Sequence, residues 1–336
     1  MFAKILQKLI EKQDLSFEEA KSVMQNIMEE SLSTEEITAF LVALRSKGET
    51  IDEIAGCASI MREKAITIIP RVESLVDTCG TGGDSTNTFN ISTTIAFVVA
   101  GTGTSVAKHG NKAATSRSGS ADVLKALGVN IELKPEQVTQ SIEEIGIGFL
   151  FAPFFHPAMK NVGPIRQKLK IRTIFNLLGP LTNPAKAPCQ VVGVFNENLT
   201  EIFAKALDRL GTNHSLIVHG SGLDEVTNTG ETKITEIKNG KMNTFFIQPE
   251  DFSLQRCCLE DLRGGEPQQN AKITFEILKG EKGHKRDIVL LNAAAALIAC
   301  DKAKDFHEGI ILARQSIDSG KALKKLEELK RFTNRV

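Results

Sequence analysis

The chain has 336 residues, of which 41% are hydrophobic and 24% are charged, a composition typical of a globular protein with one large or two smaller domains. Lysine plus arginine and aspartate plus glutamate each number 41, so the formal net charge is zero. This balance disfavours a nucleic-acid partner, because proteins that bind nucleic acids usually carry an excess of basic residues. The six cysteines lack C-x-x-C spacing, the N-terminal segment lacks the continuous apolar core of a signal peptide, and the most apolar run, residues 288–300, is too short to span a membrane. We therefore expect a cytoplasmic protein with reduced thiols, no zinc site and no membrane partner.

The first seventy residues carry helix signals. Ser16 and Ser33 are each followed three residues later by a glutamate, which is the pattern of a helix-capping box. A further helix is predicted from about Ile51. We expect a small helical domain over residues 1–70, and we expect helices within residues 160–186 to join it and to line a cleft between the domains.

Residues 71–336 alternate between strand and helix patterns. The segments LVDTCG, TSVAKHG, QVVGVF and SLIVHG are short, apolar and β-branched, and helical patterns separate them. This alternation predicts an α/β domain with a mostly parallel central sheet. Asn239-Gly240 predicts a hairpin turn inside that domain, and about sixty residues at the end return to helix.

A glycine-rich segment, DTCGTGGD at residues 77–84, includes the end of the first predicted strand. Such a turn allows backbone N–H groups to approach a phosphate closely, and the N-terminus of the next helix adds a positive dipole end. The spacing matches neither the dinucleotide fingerprint nor a P-loop, so this segment alone is a tight turn as often as a phosphate site. The next helix begins with NIST, residues 90–93, whose side-chain oxygens can cap the helix or face an anion together with its free N–H groups.

A second polar loop follows the strand TSVAKHG. It contains Lys108, His109 and Asn111 and continues through Arg117 to Ser120. Cations, hydroxyls and glycines are dense in this loop, as they would also be in a solvated surface loop. Two such loops at strand ends in one domain favour an anion site, because ligands of open α/β sheets bind at the carboxyl ends of the strands.

Charged residues that could complete such a site occur further along the chain. Asp224-Glu225 follows the strand SLIVHG and, although acidic pairs are common on surfaces, it is suited to holding magnesium beside a polyphosphate. A lone arginine on a helix is usually a solvated group, but Arg166 could bind a carboxylate at two points if its helix lines the cleft. The remaining histidines show no metal-ligand spacing and are expected to be structural; they are His156, His214, His219, His284 and His307.

Together these motifs resemble those of the anthranilate phosphoribosyltransferase family. GTGGD, NIST, KHGN, SGSADVL and GLDEVT occur in the family's order, and the resemblance extends from the helical start of the chain to its tail. It implies a small N-terminal all-helical domain, a larger α/β domain of the nucleoside phosphorylase-like kind, and a homodimer formed through the helical domain. It also implies that the phosphoribosyl group of 5-phosphoribosyl 1-pyrophosphate (PRPP) is transferred to the amine of anthranilate, a step of tryptophan biosynthesis, with two Mg²⁺ ions per site.

By position, the resemblance assigns site residues to this chain. PRPP would be held by Gly80, Gly83, Asp84, Thr88, Asn90, Ile91, Ser92, Thr93, Lys108, His109, Gly110, Asn111, Lys112, Ala113, Ala114, Thr115, Ser116 and Ser120. Anthranilate would contact Gly80, His109, Asn111 and Arg166, and magnesium would be held by Ser92, Asp224 and Glu225. No dedicated catalytic acid or base is expected, because Lys108 and the metal would stabilise the leaving pyrophosphate.

Two residues depart from the family's usual pattern. Ser85 stands where glycine is usual, and Thr115 stands where serine is common; both keep a small polar character.

Two other functions remain alternatives to the transferase. A pyrimidine nucleoside phosphorylase would share the expected fold but fits the acidic pair and the GTGGD loop less well. A non-enzymatic relative that binds nucleic acid is disfavoured by the balanced charge.

Overall fold

The protein is described from a computed structural model, and residues 2–83, 86–113 and 117–335 are the part that the structure describes. The helices of this part are α1 (Phe2–Ile10), α2 (Phe17–Met28), α3 (Thr34–Lys47), α4 (Ile51–Lys64), α5 (Ile91–Gly101), α6 (Ser120–Ala126), α7 (Pro135–Ile145), α8 (Ala152–Phe155), α9 (Val162–Leu169), α10 (Phe175–Leu178), α11 (Leu199–Arg209), α12 (Pro267–Leu278), α13 (His284–Ala299), α14 (Phe306–Asp318) and α15 (Lys321–Thr333). The strands are β1 (Leu75–Gly80), β2 (Ser105–Gly110), β3 (Ile147–Phe151), β4 (Cys189–Gly193), β5 (His214–Gly220), β6 (Thr232–Lys238) and β7 (Lys241–Ile247).

Helices α2 and α3 begin with the capping boxes that the sequence predicts. The hydroxyls of Ser16 and Ser33 each accept a hydrogen bond from the backbone N–H three residues later, at 3.2 Å. The glutamates at those later positions accept the serine backbone N–H in return, at 2.9 and 2.8 Å. Thr50 forms a third box at the start of α4. These caps fix the helix boundaries through interactions that are local in sequence.

The helical region shares its apolar core with a later part of the chain. Phe40 and Leu44 of α3 belong to the same buried cluster as Val162 and Ile165 of α9 and Phe175 of α10. Helix α11 also packs in this cluster, against α4. Residues from the 160–186 segment therefore share the apolar core of the helical region, where α10 packs against α4. The domain bounds at residues 70 and 71 stay a prediction.

The described residues form a seven-stranded sheet in the order β3-β2-β1-β4-β5-β6-β7. Strands β1 to β5 pair in parallel, whereas β6 and β7 pair antiparallel. The expected α/β fold with a mostly parallel sheet is thus confirmed. Asn239 and Gly240 have φ values of 49° and 75° between β6 and β7, as a tight hairpin turn requires. Strand β3 is absent from the strands that the sequence predicts.

Two apolar helices fill the space against one face of the sheet. Helices α5 and α13 are buried along almost their whole length and pack against each other. Because α5 also packs on β1 and β2, its N-terminus lies beside the carboxyl ends of these two strands.

Within the part of the chain that the structure describes, no helix has the length and apolarity needed to cross a membrane.

Candidate active site

The candidate site lies at the carboxyl ends of β1, β2, β4 and β5, which we call the site edge. These strands are neighbours and parallel, so the segments that follow them meet at one edge of the sheet. Gly80 at the end of β1 is directly opposite Gly193 at the end of β4. The predicted GTGGD, KHGN and GLDEVT motifs all reach this edge.

Close backbone packing joins the glycine-rich loop to the acidic pair. The backbone N–H of Gly82 donates to Asp224 Oδ2 at 2.7 Å. A Cβ on Gly80 would lie 2.5 Å from that same oxygen, and a Cβ on Gly193 would lie 1.6 Å from the backbone oxygen of Asp224. Gly193 therefore requires glycine, because a side chain there would displace the backbone that carries Asp224, whereas a side chain at Gly80 would displace the Asp224 carboxylate.

The backbone next to Asp224 and Glu225 is held by a side chain of α13. The buried side chain of Asn292, in α13, accepts the Val226 N–H at 2.8 Å and donates to the Val226 carbonyl at 2.7 Å. Its second N–H bond goes to the carbonyl of Ile288, so the amide orientation is fixed. This anchor holds the half-buried carboxylates of Asp224 and Glu225 at the site edge.

A buried lysine links β2 to the start of α5. Lys108 is 3% exposed, and its ammonium donates to the carbonyl of Thr78 at 2.5 Å and to Ser92 Oγ at 3.2 Å. Burial lowers the pKa of Lys108, while the carboxylates of Asp77 and Glu225 oppose that shift. Burial likewise raises the pKa of Asp77, and the charge of Lys108 opposes it. The Lys108 ammonium thus lies next to the first turn of α5, and the Asp77 carboxylate offsets its charge.

The first turn of α5 presents unpaired backbone donors. Asn90 occupies the N-cap position, but its side chain makes no capping hydrogen bond with the described residues. Its amide instead bonds to Ser118 and Asn270. Among the described residues, none accepts the backbone N–H of Ser92 or Thr93. These donors and the positive end of the helix dipole make the turn suited to an anion.

The loop after β2 is organised by Asp122. Its carboxylate accepts the backbone N–H groups of Ala113 and Gly119, each at 2.9 Å. A Cβ on Gly119 would lie 2.4 Å from the Ala113 nitrogen, so the two ends of the loop touch. The Asn111 carbonyl accepts the Ala121 N–H at 3.1 Å, which brings the KHGN motif against α6.

Two neutral histidines lie side by side next to this loop. The rings of His109 and His156 are 5.1 Å apart, and Nε2 of each ring is buried without a hydrogen-bond partner among the described residues. Burial lowers the pKa of His109 to about 3, with His156 adding to the shift, and burial lowers the pKa of His156 to about 4. His156 was expected to be structural; its contact with His109 makes it a candidate site residue that sequence spacing does not reveal.

Two arginines come from the segment that packs on the helical region. The Arg166 guanidinium lies 5.8 Å from the centre of the Phe175 ring and has no hydrogen bond or ion pair with any described residue. Burial lowers its pKa, as expected for a cation that is partly removed from water. Arg172, which the sequence does not single out, stacks on Phe195 at 3.9 Å and donates to the carbonyl of Gly83. Arg172 therefore connects this segment to the glycine-rich loop.

The residues at the site edge suit a hard cation. Asp224 and Glu225 supply carboxylate oxygens, and the Ser92 hydroxyl accepts a hydrogen bond from the Lys108 ammonium. The described residues contain no group of three or more histidine, cysteine or acidic side chains that could hold a metal ion. Two carboxylates are nevertheless the usual protein share for Mg²⁺, which keeps waters and takes phosphate oxygens as its other ligands.

The structure brings together most of the residues that the sequence predicts. Direct contacts join Gly80 to Asp224, Lys108 to Ser92, and Asn90 to Ser118, while no hydrogen bond or ion pair in the described ranges joins Arg166 to the loops. Thr88 pairs with Arg263 in an isolated bridge, and the N–H of Ile91 is taken by the Phe89 carbonyl. Asp84, Ala114, Thr115 and Ser116 lie outside the described residues, as does Ser85.

The chain combines a helical region with an α/β layer whose strand ends carry loops suited to an anion, and two models of a glycosyl transferase family match its sequence. The model described as the helical bundle domain of the glycosyl transferase family matches residues 3–65, and the model of that family's a/b domain matches residues 72–323.

Relatives that match this chain over its whole length identify the family within this class. The anthranilate phosphoribosyltransferase of Symbiobacterium thermophilum is 51% identical, over 99% of this chain and 98% of the relative. That of Acetivibrio thermocellus is 52% identical, over 99% and 97%. The crystal structure of the Thermus thermophilus enzyme superposes with a TM-score of 0.93 at 46% identity, covering 98% of this chain and 99% of that one. The Saccharomyces cerevisiae enzyme in complex with PRPP and Mg gives a TM-score of 0.91 at 32% identity, covering 100% and 98%. The chain belongs to the anthranilate phosphoribosyltransferase family.

Proposed function

We propose that this enzyme transfers the phosphoribosyl group of PRPP to the amine of anthranilate, giving N-(5-phosphoribosyl)anthranilate and pyrophosphate in tryptophan biosynthesis. The observation that carries the proposal is the whole-length identity of about half to anthranilate phosphoribosyltransferases. The loop after β1, the first turn of α5 and the loop after β2 are all suited to an anion and lie at one sheet edge, which supports the proposal independently.

PRPP would lie across the site edge, between the loops after β1 and β2. The N–H groups of Ser92 and Thr93, which have no acceptor among the described residues, would bind a phosphate at the N-terminus of α5. The loop after β2, whose ends are held together by Asp122, would bind from the other side. The remaining predicted PRPP residues lie in the same two loops, in the ends of β1 and β2, and at the start of α6.

Magnesium would be held by Asp224, Glu225 and Ser92, and we propose two ions per site. When bound, the metal supplies positive charge that offsets the charge of the pyrophosphate. Asn292 keeps the acidic segment in place through both polar groups of the Val226 backbone. The backbone that carries the two carboxylates is thus held in place, so little backbone reorganisation is needed when the leaving group develops charge.

The chain's own residues stabilise the departing pyrophosphate and position the acceptor. The bond between the anomeric carbon and the pyrophosphate oxygen breaks as the anthranilate nitrogen forms a bond to that carbon from the opposite face. The acidic N–H of the resulting anilinium then loses its proton to water or to the departing pyrophosphate. Lys108 contributes positive charge from behind α5, although its ammonium is buried and hydrogen-bonded to Thr78 and Ser92. The aromatic amine is unprotonated at neutral pH and needs no dedicated base, so in-line positioning supplies much of the rate, up to about 7–11 kcal/mol of barrier.

Anthranilate would bind between the KHGN motif and the α9–α10 segment. Arg166 has an unpaired, partly desolvated guanidinium that suits a carboxylate. His109 would lie beside the ring with Gly80 and Asn111, and His156 extends that surface. Both histidines are neutral at pH 7, so they can pack on an aromatic ring without repelling Arg166.

We also propose that the chain forms a homodimer through its helical region and acts in the cytoplasm. Ile10 of α1 and Val42 of α3 are exposed apolar side chains, 62% and 41% accessible, which is consistent with a covered surface. The described cysteines are free thiols, as a reducing compartment favours.

The activity is tested by following anthranilate fluorescence with purified protein. The chain contains no tryptophan and no tyrosine, so the protein background is low. We expect the signal to fall only when enzyme, PRPP and Mg²⁺ are all present, and we expect EDTA to stop the change. A constant signal with folded protein would contradict the proposal. Release of base from thymidine or uridine with phosphate would then establish the phosphorylase alternative.

A further inference from the structure

A buried amide in α12 contacts the start of α5. Asn270 is 2% exposed, and its Oδ1 accepts the backbone N–H of Gly265 at 2.7 Å. Its Nδ2 donates to Oδ1 of Asn90 at 2.9 Å. Both ends of the Asn270 amide are therefore assigned by hydrogen bonds, and the orientation of the amide is fixed.

This contact also fixes the direction of the Asn90 amide. Because Oδ1 of Asn90 accepts from Asn270, its Nδ2 faces the opposite way and donates to the Ser118 carbonyl at 3.2 Å. Asn90 belongs to the segment after β1, and Ser118 belongs to the loop after β2. A chain of hydrogen bonds thus runs from Gly265 through Asn270 and Asn90 to the second anion-binding loop.

A second pair of residues holds the same two helices together. One turn beyond Asn270, the Thr274 hydroxyl lies 2.9 Å from the Thr94 hydroxyl, and both threonines are buried. This contact joins one face of α12 to α5 without touching Ser118. It therefore provides a matched comparison, because it is a buried polar contact between the same helices.

The backbone before α12 also contacts the segment that precedes α5. The carbonyl of Leu262 accepts the Phe89 N–H at 3.2 Å, and the Gly264 N–H donates to the Asn87 carbonyl at 2.9 Å. A Cβ on Gly264 would lie 2.6 Å from Asn270 Oδ1 and 2.7 Å from the Phe89 backbone. The segment before α12 is therefore packed directly against the segment that precedes α5.

We propose that Asn270 is a positioning residue for PRPP: through the Asn90 amide it sets the separation of the loops after β1 and β2. The inference rests on the proposed function, since PRPP is the ligand that both loops would bind. Among the described residues, Asn270 makes no hydrogen bond to Arg166, His109 or His156, so its effect should fall on PRPP and not on anthranilate. Its action is indirect, through Asn90.

The test compares Asn270→Ala with Thr274→Val in the full-length protein. Titration calorimetry measures the PRPP dissociation constant with Mg²⁺, steady-state assays measure both Michaelis constants, and thermal denaturation measures stability. We expect Asn270→Ala to weaken PRPP binding about tenfold, the effect of one buried hydrogen bond, while the anthranilate Michaelis constant changes less than about twofold. Thr274→Val should lower the melting temperature and leave PRPP affinity unchanged.

Asn270→Ser serves if Asn270→Ala does not fold, because it keeps a polar group at the buried position but lacks the amide that bonds to Asn90. Unchanged PRPP affinity in a folded Asn270 variant would overturn the proposal. So would an equal loss of PRPP affinity in Thr274→Val, or the failure of both Asn270 variants to fold, because either result would make the role purely structural. Calorimetry does not need turnover. A wild-type protein that binds PRPP without using anthranilate would therefore contradict the proposed function and still allow this inference to be tested.

Discussion

The helical region and the site edge are held in place by different kinds of interaction. In the helical region, each of α2, α3 and α4 begins with a capping box between residues three apart, and apolar side chains such as Phe40 fill the core. At the site edge, buried polar groups join residues that are far apart in sequence, as Asn270 and Asn90 are, at a separation of 180 positions. Stability should therefore depend mainly on the first region, and activity on the second.

This difference explains why glycine and asparagine matter more at the site edge than apolar volume does. Gly80 and Gly193 allow the Asp224 segment to approach the strand ends, and Asn292 satisfies the backbone that such an approach buries. Each of these contacts is made once and has no substitute nearby. A small displacement would move a charged group, whereas a small displacement in the helical core would be absorbed by repacking.

The largest effect is expected from removing the acidic pair. Asp224→Ala with Glu225→Ala should lower kcat/KM by about a thousandfold, because metal-borne charge stabilisation is worth several kcal/mol. Fluorescence assays over a range of Mg²⁺ concentrations measure the change. Glu143→Ala with Glu144→Ala removes an equivalent adjacent pair from the exposed face of α7 and should leave kcat/KM unchanged. Wild-type metal dependence in the Asp224/Glu225 variant would refute the metal assignment.

A methyl group at Gly80 should come next. Gly80→Ala would place a carbon 2.5 Å from Asp224 Oδ2 and should lower kcat/KM about a hundredfold, as displacement of a catalytic group by about 1 Å does. Gly309→Ala is the control, because its Cβ would lie 2.7 Å from Ala294 Cβ between α13 and α14, away from the site edge. The control should lower the melting temperature while kcat/KM of the folded protein is retained. The comparison fails if both variants lose activity equally.

Removing the unpaired guanidinium should affect one substrate. Arg166→Ala should raise the Michaelis constant for anthranilate about tenfold or more, since a hydrogen bond between charged groups is lost, and should leave that for PRPP nearly unchanged. Lys168→Ala, an exposed cation on the same helix, is the matched control. An unchanged anthranilate constant in Arg166→Ala would remove this residue from the acceptor site.

Acid should destabilise the protein partly through the histidine pair. The folded pKa values of His109 and His156, about 3 and about 4, lie below the ordinary 6.5, so the unfolded state binds protons first as pH falls. Their contribution is present above about pH 6.5 and is lost as pH falls towards 4, with a slope of at most about 1.4 kcal/mol per pH unit for one histidine. Urea unfolding of wild type and His156→Asn from pH 7.5 to 4.5 measures it. The variant should show the shallower dependence, and parallel curves would contradict this account.

The smallest effect should come from the helical region. Ser33→Ala removes the cap of α3 and should lower the free energy of unfolding by about 1 kcal/mol without changing kcat/KM. Urea unfolding and the fluorescence assay on the same preparation check both parts. Loss of activity without loss of stability would break the contrast between the two regions.

The sequence predicts the features that depend on neighbours along the chain. Capping boxes, the parallel strands β1, β2, β4 and β5, and the Asn239-Gly240 turn are confirmed because each depends on a few adjacent residues. Strand β3 escapes prediction because its sequence, IGFLF, is a short apolar run that also suits a buried helix.

The supporting contacts of the site could not be predicted in the same way. Arg172, His156 and Asn270 acquire their roles from partners that only the fold brings near, and no spacing in the sequence marks them. Asn90 is a mixed case. It occupies the N-cap position that its residue type suits, but its side chain bonds to the buried amide of Asn270 and to the Ser118 carbonyl and not to the helix.

Hydrogen exchange with and without PRPP and Mg²⁺ would test most directly that the substrate binds at the site edge. Peptides covering residues 80–83, 86–93, 108–113 and 222–226 should become protected, because binding closes the loops and uses the unpaired N–H groups of Ser92 and Thr93. Peptides from α3 should exchange at the same rate in both samples. Protection confined to other parts of the chain, or none at saturating PRPP, would contradict the placement of the active site.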